Sequence, residues 1–109
     1  YRPPMTDSEV VRKRQRLMDT YGPFQKDHPF WKQVAVTDYL KDLQGAIEIH
    51  HAVDDAVVNI EYSRNLMKLL DATSIQHELF EYPSGGHNIT GSSFSAAMKR
   101  TVDFYKRYL

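Results

Sequence analysis

The sequence predicts an α/β fold built on a parallel strand–helix–strand unit with flanking helices. Two short runs rich in apolar and β-branched residues, 46–51 and 75–82, have the length and composition of strands. The amphipathic segment between them, 60–71, has the length and periodicity of a helix. Because a helix that joins two neighbouring strands makes those strands parallel, this unit predicts a parallel sheet.

The residues before the first strand are predicted to be helical. A first helix ends near Thr20, because the Gly22-Pro23 pair that follows interrupts helical structure. Short helical turns then lead to the strand. The sequence therefore predicts a helical segment, 1–44, followed by the strand–helix–strand–helix part, 45–109. The candidate caps of the first helix are Thr6, Asp7 and Ser8.

Two amphipathic helices complete the predicted unit. Asn59 can cap the helix between the strands, and a last helix runs from Ser92 or Ser93 to Leu109 and is expected to cover one face of the sheet. The apolar positions of the middle helix are Tyr62, Leu66, Met67, Leu69 and Leu70. Those of the last helix are Phe94, Ala97, Met98, Val102, Tyr105 and Leu109.

The composition excludes several functional classes. Hydrophobic residues make up 41% of the chain and charged residues 26%, values typical of a globular domain. Fourteen basic residues balance fourteen acidic ones, and no apolar run reaches the roughly 20 residues of a membrane span, so we expect no nucleic-acid or membrane partner. The absence of cysteine from the sequence excludes disulfides and thiolate metal sites.

An acid and a base follow the two predicted strands. Asp54 comes just after the first strand and His87 just after the second, behind Gly85 and Gly86. Since parallel strands end at the same edge of a sheet, we expect the Asp54 and His87 side chains to lie within hydrogen-bond distance. A carboxylate that accepts the Nδ1 proton of an imidazole fixes its tautomer, so that Nε2 can take a proton from a nucleophile.

These elements resemble a known family. The stretches "IHHAVDDAVVNIEYSRNLMKLL", "HELFEYPSGGHNI" and "FSAAMKRTVDFYKRYL" are similar to the carboxyl-terminal portion of an α/β-hydrolase. The similarity is greatest to the prolyl oligopeptidase family of dipeptidyl and acylaminoacyl peptidases, and it covers residues 30–109. That family's ending runs as a strand, His-Gly-x-x-Asp, a helix, a strand, a Tyr-Pro-type turn, Gly-His and a last helix.

The resemblance implies roles for individual residues. His50 matches the leading histidine of the motif, Asp54 the triad aspartate and His87 the general base. Asp55 falls on the following acidic position, which is not catalytic in the family. His51 replaces the usual glycine, and because a side chain there could alter the turn, Asp55 stays open as the alternative acid.

The nucleophile that the family requires is not in this sequence. An α/β-hydrolase serine lies in a Gly-x-Ser-x-Gly turn before the acid, and no such motif occurs in the 109 residues. The nearest imitation, at 91–95, follows the histidine and is interpreted as a helix N-cap. The resemblance thus implies a carboxyl-terminal fragment of a serine hydrolase acting through an acyl-serine, with a peptidase favoured over a carboxylesterase, and a fragment that is inactive alone.

The sequence also allows alternative functions and predicts partners. One alternative is a non-catalytic α/β-hydrolase-like binding or assembly module. A metal-dependent hydrolase is disfavoured, because adjacent strand residues point to opposite faces of a sheet, so no metal and no cofactor are predicted. The metal ligands considered are His50, His51, Asp54, Asp55 and His87. The expected partners are a peptide or ester substrate and either the upstream part of the parent hydrolase or a second copy, bound through an exposed sheet edge.

Overall fold

The computed structural model describes residues 8–109, which fall into two compact units. The first unit ends at Asp38 and the second is Tyr39–Leu109. The boundary predicted from the sequence lies further along the chain, between residues 44 and 45, just before the first strand. The residues in between belong to the second unit because Leu40 packs against Leu70 and Ile75 there.

The first unit begins with helix α1, Ser8–Tyr21. Its bounds agree with the predicted helix, and two of the candidate caps, Thr6 and Asp7, lie outside the described residues. Gly22 ends the helix in a left-handed conformation, with φ of 79°, while its N–H donates to the Met18 carbonyl at 2.8 Å. A glycine at this position avoids the strain that a Cβ would cause at positive φ.

Two short helices follow, as the sequence predicts. Helix α2, Pro29–Val34, has proline at its first position, and the His28 side chain caps it by accepting the Phe30 N–H at 3.2 Å. The Phe30 ring stacks on Tyr21 with centroids 3.7 Å apart. A 3₁₀ helix, Val36–Asp42, leads into the second unit.

The second unit contains a two-stranded parallel sheet, which confirms the predicted α/β class. Strand β1, Ala46–Ala52, pairs with strand β2, Gln76–Tyr82, in a register that joins Ala46 to Gln76 and Ala52 to Tyr82. Because the first residues of the two strands are paired, and the last residues are paired as well, both strands end at the same edge of the sheet.

Helix α3, Glu61–Leu70, connects the strands. Asn59 accepts the Glu61 N–H through its side chain at 2.9 Å, as a residue before a helix commonly does. Leu70 is fully buried, and Leu66 and Met67 pack beside it. Tyr62 and Leu69 were expected on the same apolar face, but they are exposed.

Helix α4, Ser92–Tyr108, packs on the sheet through a narrower face than the sequence predicts. Ala97 is buried in a cluster with Ala52 and Tyr82. The N-cap is Gly91, in the stretch 91–95 that was predicted to cap the helix, so no serine side chain caps it. Ser93 donates its hydroxyl to the Ser84 carbonyl at 2.7 Å. The other predicted apolar positions are exposed: Phe94, Met98, Val102, Tyr105 and Leu109.

Every helix among residues 8–109 is too short or too polar to span a membrane.

A histidine–aspartate pair links the start of β2 to the end of α3. His77 Nε2 lies 2.7 Å from Asp71 Oδ1, and Nδ1 lies 2.6 Å from the Ile75 carbonyl oxygen. The hydrogen bond to Asp71, together with the one to Ile75, raises the pKa of His77 above its ordinary 6.5, against the opposing effect of burial.

We expect the stability conferred by His77 to depend on pH. A histidine whose pKa is raised by folding stabilises the folded state fully below its unfolded pKa of 6.5. That contribution is lost as pH rises through the higher pKa of the folded state. Thermal unfolding of the native chain and of His77→Gln should therefore differ most below pH 6.5 and converge above the folded-state pKa. Asp71→Asn is the matched control and should weaken the same pH dependence, because only the bond to Ile75 then raises the pKa of His77; a difference that grows with rising pH would contradict this account.

Candidate functional site

The loops that follow β1 and β2 leave the sheet side by side. Ala52 and Tyr82 are paired at the ends of the two strands, and the next residue, Val53, donates its N–H to the Tyr82 carbonyl at 2.7 Å. The two loops contain the acidic and basic residues that the sequence predicts to meet. Their convergence at one edge of a parallel sheet confirms the expected placement of that region.

His87 pairs with Asp55. Its Nδ1 lies 3.0 Å from Asp55 Oδ2, across 32 residues of sequence. The predicted contact between Asp54 and His87 is therefore wrong, and the acid left as the alternative makes it. The side chain of Asp55 is only 5% exposed, whereas that of His87 is 41% exposed. The pair thus has a buried acid and an accessible base.

Asp54 binds the backbone of the histidine loop. Its two carboxylate oxygens accept the N–H groups of Gly85, at 3.3 Å, and of Gly86, at 2.8 Å. Both glycines have positive φ, 134° and 66°, and a Cβ on Gly85 would lie 3.2 Å from the Ile89 Cα atom. Asp54 therefore stabilises the turn that carries His87, while Asp55 contacts the imidazole ring.

The second oxygen of Asp55 is bound by the chain that follows it. Oδ1 accepts the N–H groups of Val57, at 2.8 Å, and Val58, at 2.9 Å. Burial alone would raise the pKa of Asp55, but the hydrogen bonds from Val58, His87 and Val57, with the charge of His87, outweigh it and lower the pKa from 3.8 to about 2. Asp55 is therefore an anion at neutral pH and can stabilise an imidazolium.

A second imidazole lies close to the same carboxylate. His51 Nε2 lies 3.2 Å from Asp55 Oδ2 and 2.9 Å from the Val58 carbonyl oxygen, while Nδ1 lies 2.6 Å from Ser63 Oγ. His51 is buried, with 8% of its surface exposed. The sequence carries a signal of this burial, because strand alternation places His51 on the same face as Ile47 and Ile49.

His50 belongs to a different group of side chains. Its Nδ1 lies 2.9 Å from the Tyr82 hydroxyl and its Nε2 lies 2.7 Å from Glu48 Oε1. The two adjacent histidines thus bind separate partners, as expected for neighbours on a strand. Among residues 8–109, no group of three histidine or carboxylate side chains has a geometry that could hold a metal ion.

A depression of about 250 Å³ opens between the two loops. The rings of His51 and His87, which both lie close to Asp55, line this depression. Within residues 8–109, the Nε2 atom of His87 has no hydrogen-bond partner. That atom is the one a general base would use when Nδ1 is bound to a carboxylate. The lining residues are His50, His51, Ala52, Asp55, Val58, Ser63, His87 and Ile89.

Comparison of the chain with protein-family models, with curated proteins and with solved structures gives no match.

The two aspartates are expected to have separable effects on the histidine loop. Asp54→Ala removes the acceptor of the Gly85 and Gly86 amides, so those two amides should exchange with deuterium faster, by about tenfold for each 1.4 kcal/mol of opening free energy lost. Asp55→Ala removes the acceptor of the Val57 and Val58 amides and should accelerate exchange there instead. Amide exchange measured by NMR on both variants checks this, and equal effects of either substitution on all four amides would contradict the assignment.

Proposed function

We propose that this chain carries the acid and the base of an α/β-hydrolase-type catalytic triad, with Asp55 as the acid and His87 as the base. The observation that supports the proposal best is the Asp55–His87 contact of 3.0 Å at the carboxyl edge of a parallel sheet. The pair joins a buried, ionised carboxylate to an exposed imidazole whose Nε2 is available. These are the properties that nucleophilic catalysis requires of an acid–base pair.

The proposed chemistry is acyl transfer from a peptide or ester to a serine, followed by hydrolysis. His87 Nε2 takes the hydroxyl proton as the serine oxygen attacks the carbonyl carbon, and Asp55 stabilises the imidazolium that forms. The proton then passes to the leaving amine or alkoxide. In the second step His87 takes a proton from water, which attacks the acyl-serine, and returns that proton to the serine oxygen.

The proposal places the nucleophile in a polypeptide segment outside these 109 residues. The sequence contains no Gly-x-Ser-x-Gly motif, and chain order in α/β-hydrolases puts that motif before the acid. Similarity to the prolyl oligopeptidase family favours a peptidase, with a carboxylesterase as the nearest alternative. His50 is not part of the proposed chemistry because both of its ring nitrogens face Tyr82 and Glu48.

The accessible base can be tested on the chain alone. Without a nucleophile the chain should not cleave peptides, but an activated aryl ester such as 4-nitrophenyl acetate needs only a base that assists water. We expect His87→Ala to lower the hydrolysis rate of this ester by roughly tenfold or more. The control is His77→Ala, which removes another aspartate-paired histidine and should keep the native rate. If His87→Ala and the native chain hydrolyse the ester equally, His87 does not act as a base in this chain, and an assembly module becomes the better account.

The sheet also supports a proposal about partners. Among residues 8–109, β1 pairs only with β2, so its opposite edge leaves backbone N–H and C=O groups outside any strand ladder. We propose that a further strand pairs there, from the upstream part of the parent hydrolase or from a second copy. Exposed apolar side chains in the same unit favour such a partner: Val53, Val57, Tyr62, Leu69, Phe94, Met98, Val102 and Tyr105.

The purified chain is accordingly expected to self-associate. Burying the exposed apolar surface is worth roughly 25 cal/mol per Å², and pairing of the β1 edge adds backbone hydrogen bonds. Sedimentation velocity over a dilution series should show a concentration-dependent increase in mass, and exchange of the β1 amides should slow as concentration rises. A monomer at every concentration, with exchange along 46–52 that never changes, would contradict the proposed partner strand.

A further inference from the structure

The two ring nitrogens of His51 bind two different parts of the chain, helix α3 and the turn that contains Asp55. Nδ1 lies 2.6 Å from Ser63 Oγ in the first turn of α3, and Nε2 lies 2.9 Å from the Val58 carbonyl oxygen. The side chain is 9% exposed. This imidazole therefore links β1, the turn that contains Asp55 and the start of α3.

The partners of His51 determine its tautomer. A backbone carbonyl only accepts hydrogen bonds, so Nε2 must carry the proton that it donates to Val58. In the neutral ring Nδ1 then accepts, and the Ser63 hydroxyl donates to it. The opposite tautomer holds for His87, whose Nδ1 donates to the Asp55 carboxylate.

The His51–Val58 bond acts on the acid through Val58. Val58 accepts from His51 through its carbonyl and donates its own N–H to Asp55 Oδ1. The Nε2 atom of His51 also lies 3.2 Å from Asp55 Oδ2, which is the oxygen that binds His87. His51 thus restrains the residue whose N–H binds one carboxylate oxygen, and it lies beside the other oxygen.

We infer that His51 is a positioning residue: by binding Val58 while it is held by Ser63, it fixes the orientation of the Asp55 carboxylate for His87. This inference rests on the proposed function, because it assigns His51 a part in aligning that base. His51 touches neither substrate nor nucleophile in this role, since both of its ring nitrogens are already bound. Loss of an outer hydrogen-bond partner commonly costs a metal site about tenfold or more in affinity or activity, and we expect an effect of the same size here.

Measuring the tautomers of the His51 and His87 rings tests the inference without an activity assay. Long-range ¹H–¹⁵N NMR correlations on the native chain should show His51 protonated on Nε2 and His87 protonated on Nδ1. In His51→Phe, which keeps a ring of similar size but has no donor, we expect His87 to become a mixture of tautomers. His51→Gln, whose amide can donate to Val58 from nearly the same place, should restore the single His87 tautomer.

The same variants are then compared in aryl-ester hydrolysis. We expect His51→Phe to lower the His87-dependent rate of 4-nitrophenyl acetate hydrolysis by about tenfold and His51→Gln to recover most of it. Circular dichroism checks that each variant folds. If His51→Phe does not fold, the tautomer of His51 in the native chain decides, and a proton on Nδ1 rather than Nε2 overturns the inference.

The results distinguish a failure of the proposed function from a failure of the inference about His51. If His87→Ala leaves the native rate unchanged, the proposed function fails, while the tautomer comparison still decides the role of His51. If His87→Ala lowers the rate but His51→Phe changes neither rate nor tautomer, only the inference about His51 fails. An acetyl group found on Ser63 by mass spectrometry during turnover also overturns it, because Ser63 would then be a nucleophile and His51 its base.

Discussion

The site depends on one buried carboxylate. Asp55 accepts the amides of Val57 and Val58 on one oxygen and the His87 ring on the other, and these bonds keep it ionised although it is almost inaccessible to water. A buried charge without such partners is strongly unfavourable, so the conformation of the turn and the charge of the acid require each other. The accessible His87 ring is oriented by this arrangement.

The strand–helix–strand part of the fold could be predicted from sequence because its signals are local. Apolar, β-branched runs separated by an amphipathic helix allow few arrangements, and a parallel pair follows from the length of the connection. The packing of α4 was less predictable. Periodicity identifies the apolar side of a helix but not how much of it has something to pack against, and in the second unit Ala97 is buried while Phe94 and Met98 on the same helix are exposed.

The location of the candidate site was predictable, but the identity of the acid was not. Matched strand ends imply that the two loops meet, whatever their detailed conformation. The choice between Asp54 and Asp55 depends on backbone dihedrals in the loop and on which N–H groups point toward each carboxylate. Spacing taken from a family motif favoured Asp54, which in this turn binds the amides of Gly85 and Gly86 instead.

His51 shows how a departure from a familiar pattern can change local structure. A glycine at this position would leave the Val58 carbonyl and the Ser63 hydroxyl without the imidazole that joins them. The side chain that was expected to alter the turn therefore links the turn to helix α3 by hydrogen bonds. The alternation that puts His51 on the face of Ile47 and Ile49 was the available signal that this side chain is buried.

The most direct test is a pH titration of the aspartate carboxyl carbons by ¹³C NMR. The account predicts that Asp55 titrates with a pKa of about 2, below its ordinary 3.8, because Val58, His87 and Val57 all donate to the ionised form. In a sample of His87→Ala the pKa of Asp55 should rise toward the ordinary value as one donor is lost. A pKa of Asp55 at or above 3.8 in the native chain would contradict the account, because it would mean that the carboxylate lacks the partners that orient His87.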